Sequence, residues 1–267
     1  MNVLEAVFLG LLQGVTEFLP ISSTAHLRVV PALLGRPDPG AAFTAVLQLG
    51  SLVAVIGFFW KELVTMVRAV LDPARRKSPE ARMLLYLVVG TIPVGILGLT
   101  FRHAIEGPLR ALEVVAFALI GVAVLMAIAD WKSRGARTVD TVTLRDALLI
   151  GCAQALALVP GVSRSGITLV AGIALGLRRD AAARFSFLLS VPAIGAAGVF
   201  ELPEVLAGDI GPVPLVAGLM AAAVAGYLSI AWLLRFLRTR PTTLFIIYRI
   251  ALGAVLLGGV AAGWLAS

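Results

Sequence analysis

Long runs of apolar residues dominate the chain, and the charged residues are gathered between these runs. Most of the runs come near or exceed the roughly 20 residues that a helix needs to cross a bilayer. Six of them are predicted to be complete transmembrane helices, at 42–60, 83–101, 112–130, 184–205, 211–238 and 242–266. The pattern therefore predicts an all-α integral membrane protein that forms a single membrane domain over residues 1–267.

Two further apolar stretches, 2–30 and 144–178, are interrupted by residues that stop helices. The first is broken from Pro20 to Ser23 and the second from Pro160 to Ser163. Proline removes a backbone donor, and glycine and serine favour turns and caps, so each stretch is predicted to be a broken helix.

Charge in the loops predicts the orientation of the chain. Segments 61–82, 131–145 and 235–240 are rich in Lys and Arg, whereas 201–209 holds only acidic charges. The positive-inside rule places the first three in the cytoplasm and the last outside. Threading the chain through these assignments makes both broken helices re-entrant hairpins, which enter from opposite faces of the membrane.

The composition is typical of a membrane protein and not of a soluble domain. The chain is 60% hydrophobic and 14% charged, whereas a soluble domain is usually about 25% charged. The net charge of +7 follows from the cytoplasmic loops, so no nucleic-acid partner is expected. The sequence contains no nucleotide-binding P-loop, no Rossmann glycine pattern and no zinc-protease motif.

A weak internal repeat relates the two broken helices. At a displacement of 141 positions the matched pairs are Gly10 with Gly151, Gln13 with Gln154, Ser22 with Ser163, and Thr24 with Ser165. Each half would contain one hairpin and three spans, and an odd number of spans inverts the second copy in the membrane. We therefore expect inverted repeats at 1–130 and 144–267. The tips of the hairpins should meet at a polar cavity that opens outward.

The first broken helix carries a polar face. Gly10, Gln13, Gly14 and Glu17 recur at spacings of three and four, which places them on one side of a helix. A carboxylate within an apolar segment is costly, so Glu17 is a candidate functional residue. The alternative is an interfacial carboxylate near a helix end. Gln13 and Gln48 are candidate lining residues of the cavity.

Hydroxyl, imidazole and guanidinium groups lie at the two breaks. The first break holds Ser22, Ser23 and Thr24, followed by His26, and the second holds Arg164 between two serines. Those two serines are Ser163 and Ser165. A planar guanidinium fork suits phosphate, so the breaks together predict a site for a polyanion. The alternative is that the serines only cap helices.

The segments Leu12–His26 and Pro160–Gly166 resemble the bacitracin-resistance family of undecaprenyl-diphosphate phosphatases. The resemblance covers nearly the whole chain and includes Gln48–Ser51, Phe185–Leu189 and Tyr248 with Arg249. It implies a bacterial cytoplasmic-membrane enzyme that hydrolyses undecaprenyl diphosphate to undecaprenyl phosphate and so recycles the carrier lipid of cell-wall synthesis. One departure is Gln13, which stands where the family often has the first of two acids.

The resemblance also implies roles for the residues at the breaks. Arg164 is expected to bind the diphosphate, and its hydrogen-bonding partners are expected to be Ser22, Thr24, Ser163 and Ser165. The nucleophile is either Ser23 or a water molecule, and the general base is either His26 or Glu17. A divalent cation, Mg²⁺ or Ca²⁺, is expected, with Glu17 and Gln13 as its candidate ligands.

The same sequence features are compatible with a second class of protein. Inverted repeats and broken helices also characterise secondary transporters, so a transporter of polyprenyl phosphate or another anionic lipid is the competing class. Gln154 is a further candidate lining residue. Arg249 is expected to extend its long side chain to the cytoplasmic interface. The expected partners are the membrane and the polyprenyl lipid, and a homodimer is allowed by the sequence.

Overall fold

The structure is a computed structural model that describes residues 1–35, 40–133, 135–207 and 210–263. These ranges contain α-helices, a few single 3-10 turns and no β-strand. The α-helices are α1 (Val3–Phe18), α2 (Ser23–Leu33), α3 (Ala41–Phe58), α4 (Trp60–Leu71), α5 (Pro79–Thr100), α6 (Arg102–Glu106), α7 (Leu112–Lys132), α8 (Leu144–Ala155), α9 (Arg164–Ala174), α10 (Arg179–Ala207), α11 (Pro212–Thr239) and α12 (Thr243–Ala261). The prediction of an all-α integral membrane protein is confirmed.

Five helices are long and apolar enough to cross a membrane, namely α5, α7, α10, α11 and α12. The remaining predicted span, 42–60, corresponds to α3, but the chain bends by 79° between Phe58 and Trp60 and continues as α4. The number of spans reaches six when this bent pair counts as one. Since α4 carries Lys61, Glu62 and Arg68, charge ends the apolar run where the bend occurs.

Both predicted interruptions are present, and they share one backbone geometry. Ser22 caps α2 and Ser163 caps α9, each through a hydrogen bond from a backbone N–H three residues later. The φ angles of these two serines are 73° and 71°. Non-glycine residues seldom adopt positive φ, so its occurrence at both repeat-related serines indicates a matched turn. The entry of the two segments from opposite faces of the membrane stays a prediction.

The packing of the helices follows the same correspondence. Helix α1 packs on α11 and α8 packs on α5, while α3 packs on α10 and α7 on α12. The first two contacts are close because of glycine: a Cβ on Gly10 or on Gly151 would lie 2.2 Å from the carbonyl oxygen of Gly218 or of Gly90, respectively. This pairing is what two repeats related by a two-fold axis would give. The repeat boundaries at 130 and 144 themselves stay a prediction.

Hydrogen bonds and ion pairs stabilise the helix ends that the sequence assigns to the cytoplasm. Asp146 forms a capping box with Thr143 at the start of α8 and accepts from Arg137 at 2.6 Å. Burial alone would raise the pKa of Asp146, but the hydrogen bonds from Arg137 and Thr143 outweigh it and hold the pKa below its usual value. Two charged residues of the predicted loops, Arg134 and Asp209, lie outside the described residues.

Candidate active site

A cavity of about 430 Å³ lies where the two broken helices meet. Glu17, Ser23 and Thr24 of the first broken helix line it, together with Ser163 and Arg164 of the second. Ser23 is the first residue of α2 and Arg164 the first residue of α9, so the N-termini of both helices face the cavity. These N-termini carry partial positive charge, which favours an anion between them.

The carboxylate of Glu17 is the centre of the polar cluster. Its Oε2 atom accepts from the Gln13 side-chain amide at 2.9 Å and from the Ser23 hydroxyl at 2.6 Å. Its Oε1 atom accepts from Nη2 of Arg164 at 2.8 Å. Glu17 is only 5% exposed, and these three donors offset the cost of burying its charge. The helical spacing of four residues brings Gln13 to Glu17, while the break brings Ser23 back to it.

The guanidinium of Arg164 is held on two sides. Besides Glu17, it donates from Nη1 to the backbone oxygen of Ser186 in α10 at 3.3 Å. Thr168 supports this contact, because its hydroxyl lies 2.6 Å from the Ser186 hydroxyl and donates to the backbone oxygen of Arg164 at 2.7 Å. A guanidinium has five N–H donors, so Arg164 retains donors for an anion in the cavity.

Only two of the four hydroxyl residues predicted to bind phosphate line the cavity. These are Thr24 and Ser163. Ser22 and Ser165 do not line it, and phosphate binding by the four hydroxyl groups stays a prediction. The Ser22 hydroxyl is used to cap α2, and the Ser165 hydroxyl donates to the backbone oxygen of Leu19 at 3.0 Å, so it joins the two breaks.

His26 does not line the cavity, whereas a base acting on Ser23 must reach its hydroxyl proton. Its Nδ1 atom is 2.7 Å from the backbone oxygen of Ser22, and its Nε2 atom is 2.6 Å from the hydroxyl of Tyr248. The two rings are also stacked. This pairing could not be predicted from local sequence, because Tyr248 is 222 residues away. Both ring nitrogens of His26 are therefore engaged in holding the first break and α12.

Arg249 is fully buried, so the prediction that it extends to the interface is wrong. Its guanidinium donates to five backbone oxygens, those of Pro20, Ala118, Leu119, Gly161 and Val162, at 2.9 to 3.3 Å. Pro20 belongs to the first break, and Gly161 and Val162 belong to the second. Arg249 thus joins both breaks to each other and to α7. The available sequence signal was the cost of an arginine within an apolar span, and snorkelling is the other response to that cost.

Glutamine side chains occupy three positions around the site. Gln13 is fully buried behind Glu17, and its Oε1 has no partner within the described residues. Gln48 and Gln154 both line the cavity, whereas Gln13, the third predicted lining residue, does not, because its amide faces Glu17. Gln154 is 1% exposed, and neither of its amide atoms has a partner in the part of the chain that the structure describes.

The rest of the cavity lining is largely apolar and includes a charged group. Glycine and alanine residues of α5 and α10 form much of the wall, and Arg102, Arg110 and Glu201, which we call the charged mouth, also line the cavity. Arg102 donates to Glu201 at 3.2 Å and to Glu204 at 3.1 Å, which links α6 to α10. The cavity therefore extends from the pair of Glu17 and Arg164 to helix ends that the predicted topology places outside.

The fold and the cavity define a class, that of multi-pass membrane proteins with an internal site for an anionic group. The model of the family described as "Bacitracin resistance protein BacA" matches residues 6–255. This match covers most of the chain, and the chain therefore belongs to that family.

Curated relatives match over nearly the whole chain. A protein of Myxococcus xanthus is 50% identical over 263 residues, which cover 96% of this chain and 89% of the relative. A protein of Chlorobium phaeovibrioides is 48% identical over 96% of both chains. A protein of Gloeobacter violaceus is 50% identical over 99% of this chain and 94% of the relative. Each of these relatives is named undecaprenyl-diphosphatase.

Proposed function

We propose that the chain hydrolyses undecaprenyl diphosphate to undecaprenyl phosphate and inorganic phosphate, and so returns the carrier lipid to cell-wall synthesis. The observation that carries this proposal is the Ser23 hydroxyl, 2.6 Å from the Glu17 carboxylate that also pairs with Arg164. Binding of an anion alone does not require a nucleophile beside a base. The names of the relatives support the choice of substrate.

The geometry supports a two-step reaction with Ser23 as the nucleophile. Glu17 accepts the hydroxyl proton while the Ser23 oxygen bonds to the terminal phosphorus, and the bond from that phosphorus to the bridging oxygen breaks. Undecaprenyl phosphate leaves with the proton that Glu17 returns. Water then attacks the phosphoserine, releasing inorganic phosphate and restoring the hydroxyl. Arg164 and the N-termini of α2 and α9 neutralise charge on the phosphoryl oxygens.

Glu17 suits the role of general base better than His26. The carboxylate contacts the Ser23 hydroxyl directly, whereas the nitrogens of His26 are engaged with Ser22 and Tyr248. A base must reach the proton that it removes, so this contact supports Glu17 as the base. In the variant of the mechanism in which water attacks directly, Glu17 would activate the water and Ser23 would orient it.

A divalent cation fits this site when the substrate supplies most of its ligands. Within the described residues no three His, Cys, Asp or Glu side chains cluster together, so a site built only from such side chains is not found there. Mg²⁺ is often bound by one or two carboxylates together with substrate phosphates. Glu17 would hold it, and Gln13 would orient Glu17, since its amide nitrogen faces that carboxylate. When bound, the cation would offset negative charge on the diphosphate.

The bacterial cytoplasmic membrane is the proposed location, with the cavity open to the outer side. The charged mouth includes Glu201, in the acidic segment that loop charge assigns outside. Arg102 and Arg110 lie between the spans 83–101 and 112–130, and the same threading of the chain puts them on that side. A cysteine at Ile105, which lines the mouth, should react with a membrane-impermeant maleimide added to intact cells, in a Cys152→Ser background. Labelling only after the cytoplasmic face is exposed would contradict this orientation.

The central experiment measures phosphate released from a polyprenyl diphosphate by the purified protein in detergent. The wild type should release phosphate, and Ser23→Ala should release at least about 100-fold less, the lower range for losing a catalytic group. Ser229→Ala is a matched control, since within the described residues the hydroxyl of this buried serine bonds to the Ala225 carbonyl of its own helix, α11. No release by the wild type would refute the phosphatase and favour transport of an intact anionic lipid.

A further inference from the structure

Gln154 is a buried amide whose hydrogen-bonding groups have no partner within the described residues. The side chain is 1% exposed, lies on α8 and lines the cavity. A buried amide without hydrogen bonds is unfavourable, because it loses its bonds to water and gains nothing in return. Such a group at the wall of a ligand cavity indicates a partner that arrives with the ligand.

Comparison with the first repeat shows why this amide is left without a partner. Gln13 is the counterpart of Gln154, and its Nε2 donates to Glu17 one helical turn later at 2.9 Å. The residue one turn after Gln154 is Leu158, which has no polar group. The second repeat therefore retains the amide and lacks the carboxylate that would bind it.

We propose that Gln154 is a substrate-binding residue, whose Nε2 group donates a hydrogen bond to an oxygen of the diphosphate. This inference rests on the proposed function. Gln154 lines the same cavity as Ser163 and Arg164, which belong to its own broken helix. An amide donor adds a bond without charge, while its Oε1 atom remains available to a phosphate hydroxyl or to a water molecule.

The proposal distinguishes the two repeat-related glutamines by role. Gln13 does not line the cavity and orients Glu17, so it acts on the chemical step. Gln154 contacts the substrate, so it acts on affinity. Removal of the Gln154 amide should therefore raise the Michaelis constant more than it lowers the turnover number.

The test combines two measurements on the full-length protein in detergent. The first is the dissociation constant of farnesyl methylenediphosphonate, an analogue that cannot be hydrolysed at the bridging position. The second is the Michaelis constant for phosphate release from a polyprenyl diphosphate. Gln154→Leu should raise both by about 10- to 100-fold, the effect of losing one hydrogen bond to a charged group. Gln154→Glu should bind still more weakly, because a carboxylate repels phosphate.

Thermal stability separates a binding role from a structural one. Gln154→Leu should unfold at the same temperature as the wild type or at a higher one, because it loses no hydrogen bond within the described residues. Thr242→Val is the matched control, since the Thr242 hydroxyl is also buried with no partner among the residues that the structure describes, but it does not line the cavity. This control should leave both constants unchanged.

The outcomes are distinct. Unchanged binding of the analogue by Gln154→Leu would overturn the proposal, and a lower unfolding temperature with unchanged binding would show that the amide is structural. Weaker analogue binding by Gln154→Leu supports the proposal even if the wild type releases no phosphate. In that case the phosphatase function fails while the binding role of Gln154 stands.

Discussion

Replacement of Arg249 tests whether one buried guanidinium sets the relative position of the two breaks. The side chain donates to Pro20 in the first break and to Gly161 and Val162 in the second. These three carbonyl oxygens lie between helices, where the helical hydrogen-bond ladder supplies no donor. Arg249→Met would leave all three buried without this donor.

The expected cost follows from these contacts. A buried acceptor that loses its partner costs about 1 to 3 kcal/mol, so the three break carbonyls together correspond to about 3 to 9 kcal/mol. A typical protein has a net stability of about 5 to 15 kcal/mol, so Arg249→Met should unfold readily or fail to accumulate. Removal of the positive charge offsets part of this cost, because burying a guanidinium is itself unfavourable.

Arg249→Lys is the more informative variant, because it keeps the charge and loses the fork. One ammonium group presents three donors from a single nitrogen and cannot reach carbonyls on both breaks and α7 at once. The protein should fold with a lower unfolding temperature, and phosphate release should fall about 100-fold, since a displacement of about 1 Å at a reacting group has effects of this size. Arg178→Lys is the control, because Arg178 forms an exposed pair with Asp180.

The assay is phosphate release by purified variants, with the unfolding temperature measured on the same samples. If Arg249→Lys retained wild-type turnover at a lowered unfolding temperature, other contacts would position the breaks, which would refute this role of Arg249. Loss of turnover together with loss of the Glu17 to Arg164 pair in a structure of the variant would support it.

Three further predictions concern single residues. Rapid acid quench of the wild type should trap phosphoserine at Ser23, and its absence alongside residual turnover in Ser23→Ala would favour direct attack by water. Gln13→Glu should strengthen the dependence of turnover on divalent cations, and an unchanged cation titration would remove this position from cation binding. The lowered pKa of Asp146 contributes stability above about pH 4 that is lost as the pH falls through the folded-state value, so the unfolding temperature should drop there. Asp146→Asn should be less stable at neutral pH and lack this acid-dependent loss.

The sequence determined the elements of the fold and the ingredients of the site. Apolar runs of bilayer length fix where helices can span, because exposed backbone groups are not tolerated in lipid. Pro20 and Pro160 indicated the two interrupted stretches, and the displacement of 141 positions between the repeats related Gln13 to Gln154. Glu17 and the residues of the second break could be selected because polar groups in such segments are costly.

Only the tertiary structure decided which of these groups meet. Local spacing gives the contact of Gln13 with Glu17, but no local rule gives the pair of Glu17 with Arg164, which are 147 residues apart. No local rule gives the contact of His26 with Tyr248 either. Nor does one give the contacts of Arg249, whose carbonyl partners come from three separate segments. A polar side chain in an apolar span can form hydrogen bonds with any neighbouring backbone group, and helix packing determines which groups are its neighbours. The sequence was therefore enough to identify the candidate polar residues, whereas the packing of the two halves determines which of them are in contact.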